Sequence, residues 1–448
     1  MIVDSVLLNA KAYLKGQVVD CSIAIEEGKI LKIGRETHMP QADAKTDLHG
    51  LLTLPGLIDE HVHLRDEGRS YKETFASGTS AAAAGGFTTV FDMPNNDPVT
   101  MSAKSLRNRI QTARRQLLVN VGFYSEFPKT LPEIKEIVGV GAVAFKFFMG
   151  NQVGGVNVDD DGAIREALQA AAEQKALVAV HAEDHAMVAA SEAVLKKNQK
   201  VATVDYLRAH TEQVELRAIQ RLLKASEGTE VRLHFCHVTS KEGLRAIAEA
   251  KEADRKATCE VTPNHLMLSS DDLLRVGSML LIAPPLRDRT HVDALWKGIE
   301  DGSVDTIGSD HAPHALEEKS AASIWDVKVG APGLETTLPL MLTMVRKGKL
   351  TINQVVSLLA EKPAEIFGLS DRAHLEAGKN ADLTLVDFNR QFKIDASKFK
   401  SKAKFSPYNG WDLYGKVAKT IVNGEVVYED DQIVAKGGVG SIVGGGAS

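Results

Sequence analysis

Leu51-Leu52-Thr53-Leu54-Pro55-Gly56-Leu57-Ile58-Asp59-Glu60-His61-Val62-His63-Leu64-Arg65 is the stretch on which the reading of this chain turns. Its first eight residues are mostly apolar, as a buried strand requires. The polar residues that follow put His61 and His63 two positions apart. On a strand, residues i and i+2 face the same side, so both imidazoles leave its end in one direction. Neutral imidazole is a common ligand for zinc-like cations. A His-x-His pair alone is as often incidental as functional. The weight of this one comes from what recurs downstream.

Short apolar, β-branched runs alternate with helical segments along the chain. The runs are Leu54–Glu60, Phe87–Asp92, Val119–Tyr124, Val143–Phe148, Leu177–Val180, Arg232–Cys236, Thr258–Thr262 and Asp305–Gly308. Ser102–Gln116, Asp161–Gln174, Val214–Ala225 and Lys241–Glu252 are helical in pattern. Eight strand–helix units in series predict an α/β fold, a closed (β/α)8 TIM barrel with its active site at the strands' C-terminal ends. Polar residues fall at those ends. The first strand ends in His61 and His63, and the second leads to Asn95. The fourth carries Lys146 between two phenylalanines, and the fifth ends at His181. The sixth ends at His237 and the eighth at Asp310. Five different strands thus deliver a candidate metal ligand to one rim.

Outside the barrel, Val3–Ile33, Ala381–Asp387 and Val417–Tyr428 are β-like, the last with an Asn423-Gly424 hairpin signal. The two chain ends are expected to pair into a small β-sandwich. This divides the chain into residues 1–52 and 378–434 for that domain, 53–377 for the barrel and 435–448 for a glycine-rich flexible tail. The 448 residues, 44% of them apolar, suffice for both bodies. A net charge of −6 and a pI near 6.2 provide no basic field for nucleic acid or an anionic membrane. No run reaches the length of a membrane span, and Met1-Ile2-Val3-Asp4 begins no signal peptide. Cys21, Cys236 and Cys259 are too few for a disulfide framework and point to the reducing cytoplasm.

Four histidines and Asp310 could serve two metal ions if one more anionic group joined them, and the ions could then share a hydroxide and polarise a carbonyl. Lys146 is the candidate for that group. It could instead snorkel to solvent or pair with an acid. In the sharper reading its buried amine reacts with carbon dioxide, and the carbamate is an anionic, bidentate ligand. His181 and His237 taken singly read as core histidines, and Asp310 taken singly as a helix cap. Their shared position after barrel strands favours the metal. His38, His185, His210, His234, His291 and His374 read as surface or packing residues, with His265 and His311 undecided. Cys236 and Glu260 read as a buried thiol and a polar group of the barrel interior.

Together these residues resemble the cyclic-amide branch of the amidohydrolase superfamily, and within it the dihydroorotases. The resemblance runs from Gly56-Leu57-Ile58-Asp59 to Ile421-Val422-Asn423-Gly424-Glu425-Val426-Val427-Tyr428. It implies reversible cyclisation of N-carbamoyl-L-aspartate to L-dihydroorotate in pyrimidine synthesis, through a dimetal-bridged hydroxide. Two divalent ions, zinc the expected element, would be held by His61, His63, carboxylated Lys146, His181, His237 and Asp310. Asp310 would act as catalytic base and then acid. Arg65, Asn95 and His314 would hold the substrate's carboxylate; a guanidinium fork suits that group. Unpaired from substrate, Arg65 would be a rim salt bridge to Asp66 or Glu67. Gly333-Leu334-Glu335-Thr336 also resembles a family loop.

Three departures run the other way. Phe145-Lys146-Phe147-Phe148-Met149 looks more like hydantoinases and allantoinases than the many bacterial dihydroorotases with aspartate there. Ala283 stands where an asparagine often contacts the ring, and Asn264 where a histidine is common. Hydantoinase, dihydropyrimidinase or allantoinase activity on a neutral ring is therefore the alternative. A non-catalytic scaffold of the same fold is a further one, disfavoured because every expected ligand position is filled. The partners implied are a small-molecule substrate, further copies of the chain as a dimer or tetramer, and an enzyme of the same pathway.

Overall fold

The computed structural model describes residues 2–444. Eight parallel strands close into a barrel: Leu57–Val62, Phe87–Asp92, Asn120–Phe123, Phe145–Phe148, Leu177–His181, Arg232–Phe235, Ala257–Val261 and Thr306–Ile307. The third resumes after Tyr124 as Ser125–Glu126, and this short piece pairs with the fourth. Each strand pairs in parallel with the next. The ring closes where Val62 bridges His311 and His63 N–H donates to the His311 carbonyl (2.8 Å). Closure therefore brings the His-x-His motif against the end of the eighth strand.

The helices outside the ring follow from the apolar spacing. Glu212–Ala225 buries Val214, Ala218, Ile219, Leu222 and Ala225, one stripe of a 3.6-residue period. Side chains of Thr74, Ser102, Asp160, Ser240 and Asp288 accept N–H bonds at the starts of five helices, satisfying donors the helix itself leaves unpaired. None of the helices among the described residues is long and apolar enough to cross a membrane.

Both chain ends build the small β-sandwich. Its nine-stranded sheet contains Ile2–Leu14, Gln17–Glu26, Lys29–Gly34, Gln41–Asp47 and Leu52–Pro55 from the N-terminal side. Leu383–Lys393, Asp412–Val422, Glu425–Glu429 and Gln432–Ile433 come from the other side. The seam is Leu52–Pro55, parallel to Ile2–Leu14 and antiparallel to Leu383–Lys393.

Two segments differ from the sequence expectation. The run read as one strand, Leu54–Glu60, is broken at Gly56: the residues before it belong to the small sheet and those after it to the barrel. Gly56 donates its N–H to the Asp382 carbonyl (2.8 Å), and a Cβ there would overlap Thr88 and Asp382. The two bodies approach too closely at that point for any side chain. The expected flexible tail, 435–448, is also built differently over its described part. Gly438 and Gly440 donate to the Leu117 carbonyl (2.8 and 3.1 Å), and Ile442–Val443 adds a strand parallel to Asn120–Phe123. A side chain on Gly440 would overlap the Val119 backbone, so this glycine serves close approach rather than freedom. Residues 445–448 lie outside the described residues.

Candidate active site

A cavity of about 500 Å³ opens at the C-terminal ends of the barrel strands, lined by His61, His63, Arg65, Asn95, His181, His237, Asp310 and His314 among others. A larger open groove, about 820 Å³, between Tyr13 and Glu376 holds none of them. Barrel closure explains the convergence, since every residue named lies at or just past a strand end. Three of them, Arg65, His237 and Asp310, take positive φ (62°, 38° and 45°), a conformation unfavourable for side chains other than glycine. Three positions of backbone strain thus lie where the side chains meet.

The imidazoles are fixed from behind. His61 Nδ1–H donates to Glu260 (2.8 Å), and His63 Nδ1–H donates to the Asn95 side-chain oxygen (2.7 Å). Each Nε2 is left with its lone pair, and both face Asp310 Oδ1, at 3.4 and 3.3 Å. On the other side, His181 Nε2–H donates to Glu183 (2.8 Å). Its Nδ1 then turns toward His237 Nε2 at 3.1 Å. His237 Nδ1 is buried with no hydrogen-bond partner.

Burial holds His61, His63 and His237 below the ordinary histidine range, with Lys146 adding to the effect on each. Neutral rings have lone pairs to offer. Burial raises Asp310 above the usual carboxylate range, against the pull of His61. His61, His63 and Asp310 place one donor atom each within 4.8 Å of one another. Neutral imidazoles converging on one another and on a carboxylate are a donor set that fits divalent cations.

Lys146 is fully buried, over the Phe148 ring (5.2 Å), and its amine donates to Cys236 Sγ (3.0 Å). Neither bland expectation describes it: it does not reach solvent, and among the described residues no carboxylate forms an ion pair with it.

Arg65 is buried rather than paired at the rim with Asp66 or Glu67. Its Nε donates to the Pro313 carbonyl (3.3 Å), and a terminal nitrogen stands 3.4 Å from His314 Nε2. Burial lowers it to about 10, so the guanidinium remains charged at neutral pH. Asn95 is brought to the same cavity with its oxygen taken by His63 and its amide nitrogen left to give. Of the two departures noted in sequence, Ala283 lines the cavity, whereas Asn264 is buried outside its lining and accepts from the Tyr408 hydroxyl (2.8 Å).

Sequence reading missed the acids behind the ligands and misjudged one histidine. His210, expected at the surface or in packing, lines the cavity and donates through Nδ1 to Glu183 (2.8 Å). Burial opposes its charge, but Glu183 outweighs that and pushes it up to about 9. Glu183 in turn resists its own burial and is held far below the carboxylate range by His210 and His181. The only signal for Glu183 was its position two residues after His181. Glu260, read as a polar group of the barrel interior, also accepts the His237 backbone N–H (3.0 Å). Weakening a carboxylate that orients a ligating histidine typically costs 10–100-fold in metal affinity. Glu183→Gln is therefore expected to lower zinc affinity by about tenfold or more, measured by chelator competition; unchanged affinity would remove Glu183 from this role.

Fold and site together define a (β/α)8 barrel whose rim brings together a donor set that fits divalent cations. The chain belongs to the Amidohydrolase family, whose model matches residues 52–427. It is 36% identical over 447 residues to a dihydroorotase of Methanosarcina acetivorans, covering 98% of this chain and 94% of that protein. With a dihydroorotase of Pyrococcus horikoshii it shares 38% over 429 residues, covering 95% and 92%. The solved structure of an L-hydantoinase (dihydropyrimidinase) from Arthrobacter aurescens superposes with a TM-score of 0.94 at 32% identity, covering 99% of this chain and 100% of that one.

Proposed function

We propose that this protein is a metal-dependent cyclic amide hydrolase, and specifically a dihydroorotase of pyrimidine synthesis. The observation that carries the substrate is the meeting of Arg65, Asn95 and His314 in the cavity beside the imidazole cluster. An arginine nitrogen and the His314 Nε2–H are both donors, and they stand 3.4 Å apart with nothing to bond each other. Among the described residues the terminal nitrogens of Arg65 have no acceptor, and the His314 N–H has only the Val329 carbonyl (2.9 Å). A ring carboxylate supplies the acceptor Arg65 lacks and can share the His314 donor. The names of the dihydroorotase relatives support the same reading.

His61, His63 and Asp310 would hold one divalent ion, zinc by expectation, and His181 and His237 a second. Lys146, an amine buried without an acid, is the residue we expect to be carboxylated and to serve both. Ions bound there supply Lewis acidity toward a carbonyl oxygen and water activated at neutral pH. The chain's own residues do the rest. Asp310, raised by burial, is suited to take the attacking water's proton and deliver it to the leaving amide nitrogen. Arg65, the Asn95 amide and His314 fix the ring so that attack is effectively intramolecular. In the reverse direction the same contacts hold N-carbamoyl-L-aspartate for closure. Three unpaired thiols suit the cytoplasm.

A second reading has support of its own. Phe148, Val153, Val188, Tyr206, Ile324 and Trp325 give part of the cavity an apolar wall that a small acidic ring does not need. That wall suits the apolar substituent of a neutral ring, as a hydantoinase would bind. Ring opening by zinc-loaded protein should be followed on L-dihydroorotate, dihydrouracil, hydantoin and allantoin. Preference for L-dihydroorotate is the expected result; turnover of neutral rings alone would overturn the carboxylate reading and leave the hydrolase.

A further inference from the structure

His314 sits between two unlike neighbourhoods. On one side its Nε2 faces the Val329 carbonyl (2.9 Å), the Arg65 guanidinium (3.4 Å) and the cavity. On the other, its Nδ1 faces the Lys72 amine (3.0 Å) and, slightly farther, a Glu318 oxygen (3.4 Å). Lys72 and His314 are both buried. Lys72 pairs with Glu318 (2.9 Å), whose same oxygen also accepts from the Tyr71 hydroxyl (2.9 Å). The other oxygen takes the Ala315 N–H (3.1 Å). Lys72 belongs to the loop after the first barrel strand, His314 and Glu318 to the loop after the last.

A neutral imidazole carries its proton on one nitrogen only, and the partner of the other nitrogen decides which. An ammonium has donors and no acceptor. Facing Nδ1, it requires a lone pair there and puts the proton on Nε2. The Val329 carbonyl, an acceptor, requires the same. The ring is kept neutral by its burial, reinforced by the charges of Arg65 and Lys72, which lower it to about 2.

We infer that Lys72 is a positioning residue for substrate recognition, acting with the Val329 carbonyl to hold His314 as the Nε2–H tautomer, so that a hydrogen-bond donor shared with that carbonyl faces the cavity beside Arg65. This rests on the carboxylate reading of the site. Glu318 is the counterweight: it fixes the Lys72 amine, but without that amine it becomes the nearest partner of Nδ1. A carboxylate accepts only and is a stronger acceptor than the neutral Val329 carbonyl at Nε2, so it would draw the proton to Nδ1 against that carbonyl. The Nε2 lone pair would then face the substrate's carboxylate and repel it. Lys72 touches no substrate in this scheme; it acts through the ring.

The test is the ¹⁵N chemical shifts of the His314 ring in zinc-loaded wild-type protein, identified by its loss in His314→Ala, together with kinetics of Lys72→Met and Lys72→Arg. Wild-type protein should show Nε2–H, Lys72→Arg should keep it, and Lys72→Met should shift the proton to Nδ1. Losing one hydrogen bond to a charged group corresponds to roughly a tenfold rise in KM for L-dihydroorotate, with kcat and zinc content near wild type. Turnover of hydantoin, which offers no carboxylate, should be unmoved. Nδ1–H in the wild-type protein, or Nε2–H retained in Lys72→Met, would overturn the inference, and so would equal losses on both substrates. Because the tautomer is read without substrate, failure to open L-dihydroorotate at all would count against the substrate reading and not against the role of Lys72.

Discussion

Lys146→Ala is expected to abolish turnover and reduce bound zinc below two ions per chain. Lys146 is fully buried, donates only to a thiol, and lies close enough to depress protonation of His61, His63 and His237, whose low basicity comes first from burial. An alanine there removes the group we expect, once carboxylated, to add negative charge between the two imidazole pairs. Four imidazoles and the Asp310 carboxylate alone hold a pair of dications poorly, because most of the ions' mutual repulsion goes uncompensated. Loss of an ion forfeits several kcal/mol of transition-state stabilisation, a fall in kcat of about a thousandfold or more. Metal analysis and kcat should be measured on the same preparation. Two zinc ions with near-normal activity in Lys146→Ala would remove lysine from the metal site altogether.

Arg65→Met should separate binding from chemistry. Methionine keeps much of the buried side chain's volume while removing the charge and its donors. The variant should hold its zinc, since Arg65 bonds to the Pro313 carbonyl and approaches His314 rather than any imidazole of the cluster. KM for L-dihydroorotate should rise by roughly 10–100-fold, the value of charge-assisted bonds to a buried anion. Hydantoin and dihydrouracil should be opened at rates close to wild type. A parallel loss on neutral rings would show that Arg65 supports the loop and not the carboxylate, and the substrate would then need another anchor.

The barrel was legible because eight β-branched runs recur with helical stripes between them, and the order of strands and helices survives errors of one or two residues at their ends. The convergence of the candidate ligands was legible for a related reason: a strand end is a fixed place, so position alone brings His61, His63, His181, His237 and Asp310 to one cavity. The break at Gly56 was not, because an apolar run looks continuous whether it feeds one sheet or two. What stops the strand is the Asp382 carbonyl, more than three hundred residues away in sequence. Glu183, His210 and Lys72 were hidden for the same cause. Each is defined by which atom it faces, and neither hydropathy nor spacing carries that. The glycines near the C-terminus were misread because composition alone does not distinguish a glycine that bends freely from one that lets two backbones touch.

The seam strand Leu52–Pro55 also has a consequence for how the protein is made. It is synthesised early, yet its neighbour Leu383–Lys393 leaves the ribosome more than three hundred residues later. Until then one edge of an apolar strand stands open beside a barrel still lacking its later strands, the condition under which nascent chains pair wrongly with one another. The small sheet is therefore completed only after the strands that follow residue 383 have been made. A nonsense codon or frameshift before residue 383 thus harms the first fifty residues as much as the residues it removes, and such chains should accumulate as substrates for chaperones and proteases rather than as shortened enzymes.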